Sequence, residues 1–247
     1  SKDETARGIK DQLAAIKSRE DQPLGLAFRK LPPFLFPCSV YGYLQLGEPE
    51  NVQKYDEAQL RSFWNRQKAR PWVLAVSGDF DRDQILAFAK SLPAPDQRKV
   101  DVPVPAWGTR PELDIPMPGR NQAHLMLIFK TAPDTSPDTP ALDLLETSLG
   151  GMGGPLFRDL RDKQGLGYTV TAFNRQTSEN GYMVFYIGTE PGKMAQAEEG
   201  FKRIINDLHQ NLLSEEDVNR GKNQLEGDYY RNMQSLGSRS GEAAALT

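Results

Sequence analysis

The chain has 247 residues, 38% of them hydrophobic, with 30 Lys and Arg against 33 Asp and Glu and a formal net charge of −3. That suffices for one large or two ordinary folded domains, and the scattered basic residues argue against a nucleic-acid or membrane-surface binder. A single cysteine, Cys38, excludes an intramolecular disulfide and any multi-cysteine metal cluster; no apolar run reaches the roughly 18 residues of a membrane span, and the opening SKDETARGIK has no signal-peptide core.

Ala6, Ile9, Leu13 and Ile16 recur every three or four residues, so residues 3 to 20 are predicted to form a helix. PLGLAFRKL continues as a second helix, expected to stop at Pro32 and Pro33. Asp56 caps DEAQLRSFWNRQ, with Gln59 completing a capping box and Leu60, Phe63 and Trp64 expected to face inward. PWVLAVSG reads as a strand buried on both faces, and Asp81 starts a helix with Ile85, Phe88, Ala89 and Leu92 inside.

From Pro93 to Pro118 seven prolines interrupt the pattern, which reads as an extended linker. QAHLMLIFKT is then a strand and TPALDLLETSLG a helix with Leu142, Leu145 and Leu149 inside. GYTVTAFNR and GYMVFYIGT form an antiparallel pair, for which Asn180-Gly181 suits a tight hairpin turn. Met194, Ala197, Phe201, Ile204 and Leu208 line one face of a following helix, and Ser214 with Asp217 starts another.

Four glycines fall within five positions at Gly150, Gly151, Gly153 and Gly154. A phosphate loop would need Gly-Lys-Ser or Gly-Lys-Thr, which does not occur, and a dinucleotide fingerprint would need glycine where Leu156 stands. The glycines also fit a plain need for positive φ and close packing, with Pro155 opening the next helix. In PLFRDLRDKQ, Leu156, Phe157 and Leu160 share one face, Arg158 and Arg161 lie on another, and Gly165 ends the helix. Arg161 near the helix end and Tyr168 at the next strand's start suit a common cleft, although a helix-end arginine and a strand tyrosine are also ordinary structural choices.

LFRDLRDKQGLGYTV resembles the signature of the C-terminal halves of pitrilysin and insulinase-type zinc metallopeptidases, the inverzincins, which include mitochondrial processing peptidases. The resemblance rests on Leu156-Phe157, Leu160-Arg161-Asp162-Lys163 and Gly165-Leu166-Gly167-Tyr168 behind a glycine loop. Weaker echoes at YGYLQLGEPENV, LAVSGDFDRDQI and the QAHLMLIF to ALDLLETSLGG unit extend it along most of the chain. The family's H-x-x-E-H helix is absent, and the two histidines, His124 and His209, are not at ligand spacing. If QLAAIKSREDQP corresponds to the helix carrying the family's third zinc ligand, Ala14 or Ala15 stands in its place.

The resemblance implies an α+β fold, with a mixed or antiparallel sheet and helices in two layers, in a processing-peptidase-like architecture. It implies a non-catalytic half that binds no metal itself and works with zinc held by an H-x-x-E-H half in the same polypeptide or a partner subunit. Arg161 and Tyr168 would then be auxiliary catalytic donors to the oxyanion of a peptide substrate, with Gly151, Gly153 and Gly154 as substrate-binding positions. A scaffold or interaction module of the same fold is the alternative. The family occupies cytosol, periplasm and organelles, so a bacterial chain would be cytoplasmic or periplasmic. Residues 1–92 resemble the closing segment of one repeat and 112–247 the opening segment of the next, joined by 93–111. The expected consequence is that WVLAV pairs with the sheet strands beyond the linker, within one chain or across a swapped homodimer.

Overall fold

The computed structural model describes residues 1–93 and 103–245. The chain divides into two compact units: Ser1–Ser18 with Leu44–Pro103 and Asp228–Thr247, and Arg19–Tyr43 with Val104–Gly227. Its helices are α1 (Lys2–Glu20), α2 (Pro23–Leu35), α3 (Pro49–Val52), α4 (Glu57–Lys68), α5 (Arg82–Ser91), α6 (Thr139–Leu149), α7 (Met194–Asn211), α8 (Glu215–Asn232) and α9 (Leu236–Ala245). The strands are β1 (Ala123–Thr131), β2 (Gly167–Gln176) and β3 (Gly181–Thr189), and a π-helix spans Phe157–Lys163.

The second unit carries the sheet, in order β1-β3-β2 and antiparallel throughout. Alternation along the strands sorts its side chains onto two faces. Leu125, Leu127, Val170, Ala172, Met183, Phe185 and Ile187 join Leu149, Leu156, Leu160 and Phe201 in one core, beneath α6, the π-helix and α7. Met126, Ile128, Phe173, Val184 and Tyr186 turn the other way and meet Leu31, Leu35 and Phe36 from α2 and its C-terminus. The fold is therefore α+β, with an antiparallel sheet covered by helices, as the sequence implied.

The second of these cores explains why α2 does not stop at Pro32. Two missing N–H groups weaken its last turn, but burial of Leu31 and Leu35 holds that turn helical, and the Phe36 N–H closes it on the Pro32 carbonyl at 2.8 Å. The proline-rich stretch is also partly anchored. Residues 94–102 of the expected linker lie outside the described residues, but Trp107 packs on this core and the Gly108 N–H donates to the Leu35 carbonyl at 2.7 Å. The β2–β3 connection is not the tight turn expected at Asn180-Gly181: it is a four-residue loop, 177 to 180, closed by the Thr177 N–H on the Asn180 carbonyl at 2.7 Å. Gly181 is already in β3, where a Cβ would lie 2.1 Å from the Ala132 carbonyl oxygen, so close approach rather than turn geometry requires glycine.

In the first unit, Asp56 accepts from the Gln59 N–H while the Gln59 side chain accepts from the Asp56 N–H, the expected capping box. Asp81 caps α5 as expected. Two expectations fail. Leu60, Phe63 and Trp64 are 41%, 52% and 60% exposed, and Phe88 is 53% exposed, because an amphipathic pattern specifies a face without specifying what covers it. Among the described residues, 71 to 78 form no strand, and Trp72, Val73, Leu74 and Val76 are exposed where a strand buried on both faces was expected.

Candidate functional site

The glycine loop leaves α6 at Gly150 and enters the π-helix through Pro155. Gly151 and Gly153 have φ of 71° and 93°, a region L side chains rarely adopt. Gly154 is required for a different reason, since a Cβ there would lie 2.4 Å from the carbonyl oxygens of both Leu149 and Gly150. The Gly150, Gly154 and Arg158 N–H groups donate to Glu146, Gly151 and Gly154 carbonyls. Among the described residues, the N–H groups of Gly151, Met152 and Gly153 reach no protein acceptor. Met152, at the loop's tip, is 86% exposed.

Beyond the loop, i→i+5 winding alters which side chains share a face. Leu156 and Leu160 remain together and fully buried, but each residue turns through less than the α-helical angle, so positions three apart diverge and positions four apart nearly coincide. Arg161 accordingly lies over the Phe157 ring, 4.4 Å from its centroid, while Arg158 turns to α8. The expected common face for Arg158 and Arg161 is thus split. Gly165, with φ of 62°, ends the helix as expected, its N–H donating to the Arg161 carbonyl at 2.9 Å.

Tyr168 is the extra residue of a β-bulge: Gly167 pairs with Thr189 and Thr169 with Gly188, one step along β3 for two along β2. Bulges re-aim side chains at strand ends, and Tyr168 stands 84% exposed. Arg161 is exposed as well, and no hydrogen bond joins the two. Arg161 lies in the last turn of the π-helix and Tyr168 near the start of β2.

Sequence reading missed a charged node beneath the loop. Asp217, 4% exposed, accepts from Arg158 through Nη1–Oδ1 at 2.8 Å and Nη2–Oδ2 at 2.9 Å, from Arg220 Nη1 at 2.8 Å and from Ser214 Oγ at 2.8 Å. Arg158 also donates to the Gly153 carbonyl, and Arg220 to the Ser148 carbonyl at 2.5 Å. The Arg158 hydrogen bonds, helped by the Ser214 hydroxyl and both guanidinium charges, hold the Asp217 carboxyl below its ordinary range despite burial. Ser214 with Asp217 was legible as a helix start, but the arginine 59 residues away was not.

Neither histidine forms a metal site. His124 Nδ1 is 2.9 Å from the Tyr186 hydroxyl, burial lowers the His124 pKa, and His209 is exposed on α7. Among the described residues, no group of three or more His, Cys, Asp or Glu side chains could hold a metal ion. The described residues therefore do not fit zinc.

A profile of the peptidase M16 inactive domain matches residues 56–225. An uncharacterized zinc protease of Mycobacterium tuberculosis (strain CDC 1551 / Oshkosh) is 25% identical over 235 residues, covering 92% of this chain and 54% of the relative. The chain thus spans about half the length of the curated relatives it matches. Among solved structures, a peptidase M16 inactive domain from Pseudomonas fluorescens superposes with a TM-score of 0.82 at 21% identity, over 100% of this chain and 60% of that one. A chain of Complex III2 from Candida albicans has a TM-score of 0.79 at 15% identity, over 96% of this chain and 60% of that one.

Proposed function

The chain belongs to the peptidase M16 inactive-domain family, and from that premise we propose that it is the substrate-positioning part of a zinc metalloendopeptidase whose zinc and H-x-x-E-H helix lie in another half, in the same polypeptide or a partner subunit. No hydrolytic step is assigned to this chain's own residues. The observation that carries the reading is the glycine loop: three successive N–H groups have no internal acceptor while neighbouring carbonyls are tied inward to arginines. An extended peptide offers carbonyl oxygens to such donors. The loop glycines Gly151, Gly153 and Gly154 would take the peptide backbone, and the Arg161 guanidinium and Tyr168 hydroxyl would donate to the carbonyl oxygen that gains negative charge during cleavage. Exposure of both side chains suits groups that complete their hydrogen bonding only when substrate arrives.

In the same reading, residues 1–92 close one α+β repeat and 112–247 open the next. The exposed apolar residues of α4, α5 and the 71 to 78 segment fit a surface that further protein covers.

The test combines this chain with a partner half carrying H-x-x-E-H and measures peptide turnover. Arg161→Ala and Tyr168→Phe should each lower turnover by about 100-fold or more, in line with the loss of one oxyanion donor, with zinc content unchanged. Turnover at the parent rate in both variants would remove these residues from the reaction. The second reading is a scaffold or interaction module of the same fold, and a parent mixture without peptidase activity would favour it.

A further inference from the structure

The five-residue stretch Gly150 to Gly154 contains four glycines, whose backbone freedom makes a single loop shape entropically costly. Its internal hydrogen bonds are sparse, and the Gly154 N–H to Gly151 carbonyl bond is long at 3.3 Å. What fixes the loop is one face of α8, where Asp217, Arg220, Gly221 and Gln224 recur at helical spacing. Gly221 lets the helix lie flush, since a Cβ there would sit 2.2 Å from Ser148 Oγ. Gln224 Oε1 would be 3.6 Å from a Cβ on Gly151. Arg220 takes the Ser148 carbonyl just before the loop, and Arg158 takes the Gly153 carbonyl at its far side. Both guanidiniums converge on Asp217, whose two oxygens accept four bonds and so have their full complement.

We propose that Asp217 is the positioning residue of the glycine loop: through Arg158 and Arg220 it ties both sides of the loop to α8 and presets the unbonded N–H groups of Gly151, Met152 and Gly153 for the backbone carbonyls of an extended peptide. The proposal rests on the reading of the loop as a peptide site. Asp217 touches no substrate; it removes in advance the ordering cost that a free glycine loop would meet on binding. Without its carboxylate the two guanidiniums repel each other, and both loop anchors are released together.

Amide hydrogen exchange by NMR on the full chain tests the brace, with the hydrogen-bonded Gly150, Gly154 and Arg158 amides reporting the loop and Val184 and Ile187 in β3 reporting the sheet. In Asp217→Asn the loop amides should exchange at least about 10-fold faster with the β3 amides unchanged. The affinity for fluorescein-labelled casein, an unfolded polypeptide, should fall by about 10-fold, and Asp217→Glu should recover part of it. Unchanged loop exchange overturns the brace, and faster exchange with unchanged casein affinity overturns the positioning role. Parent protein that binds no casein overturns the loop as a peptide site, while the exchange rates still decide the brace. Should Asp217→Asn not fold, Arg220→Lys keeps the charge but not the fork and is read by the same measurements.

Discussion

Arg158 and Asp217 meet as a two-pronged ion pair, Nη1–Oδ1 at 2.8 Å and Nη2–Oδ2 at 2.9 Å, that joins the first turn of the π-helix to the first turn of α8. A lysine can supply the charge at one oxygen but cannot span both while also reaching the Gly153 carbonyl. Arg158→Lys is therefore expected to cost about 1 to 2 kcal/mol, partly offset because Arg158 is half exposed and Arg220 keeps its own bond to Asp217. Thermal unfolding should show a fall of roughly 2 to 8 °C. An unchanged midpoint would mean that the pair contributes only geometry.

The loop glycines should separate by mechanism. Gly151→Ala introduces left-handed strain of about 1 to 2 kcal/mol, because the nearest atom to its new methyl is Gln224 Oε1 at 3.6 Å. Gly154→Ala meets two backbone oxygens at 2.4 Å, and backbone cannot swing aside as a side chain can. It should cost more than about 3 kcal/mol and displace the start of the π-helix. Denaturant unfolding of the two variants side by side checks the order; equal losses would show that the loop relaxes freely.

Two carboxylates should respond to acid in opposite senses. The Asp217 pKa is lowered in the folded chain, so its contribution is complete above the unfolded value and disappears as pH falls through the folded one, below about pH 4. Glu146 is raised by burial although its carboxylate accepts the Asn174 N–H at 2.8 Å. Its charge is thus a burden above the folded pKa, relieved as pH falls below the unfolded value. Glu146→Gln keeps an acceptor for Asn174 and removes the charge, so it should be more stable than the parent at pH 7, with the gap closing towards about pH 4. A stability gain that is the same at both pH values would assign the effect to packing instead.

The elements that could be read from sequence are those whose signal is local. The Asp56 capping box, the alternation of β1 and β3 and the Gly165 stop each lie within a few residues of their cause. The Leu-Arg and Gly-Leu-Gly-Tyr spacing pointed to the family for the same reason. What could not be read depends on distant partners. Pro32 and Pro33 argued locally for a helix end, and only the sheet face that buries Leu31 and Leu35 overrides them. The π-helical winding that separates Arg158 from Arg161, and the bulge that exposes Tyr168, leave no mark in the spacing of apolar residues that a periodicity argument reads.

The exposed apolar residues of the first unit yield the last expectation. Leu60, Phe63 and Trp64 share a face of α4, and Trp72, Val73, Leu74 and Val76 follow one another in a segment assigned to neither helix nor strand, all more than a third exposed. An unpaired apolar segment offers its amides and carbonyls to any free strand edge, and β1 pairs with β3 along one edge only among the described residues. Two copies can satisfy both needs at once, each giving residues 72 to 76 to the other's β1 as a swapped dimer. Sedimentation should then show dimer growing with concentration in the micromolar range, and Val73→Lys should return it to monomer by placing a charge within the exchanged strand. Strictly monomeric parent protein at about 100 μM would rule out the exchange, whereas indefinite association abolished by the same substitution would show that the segment is adhesive but that strand pairing does not close into a pair.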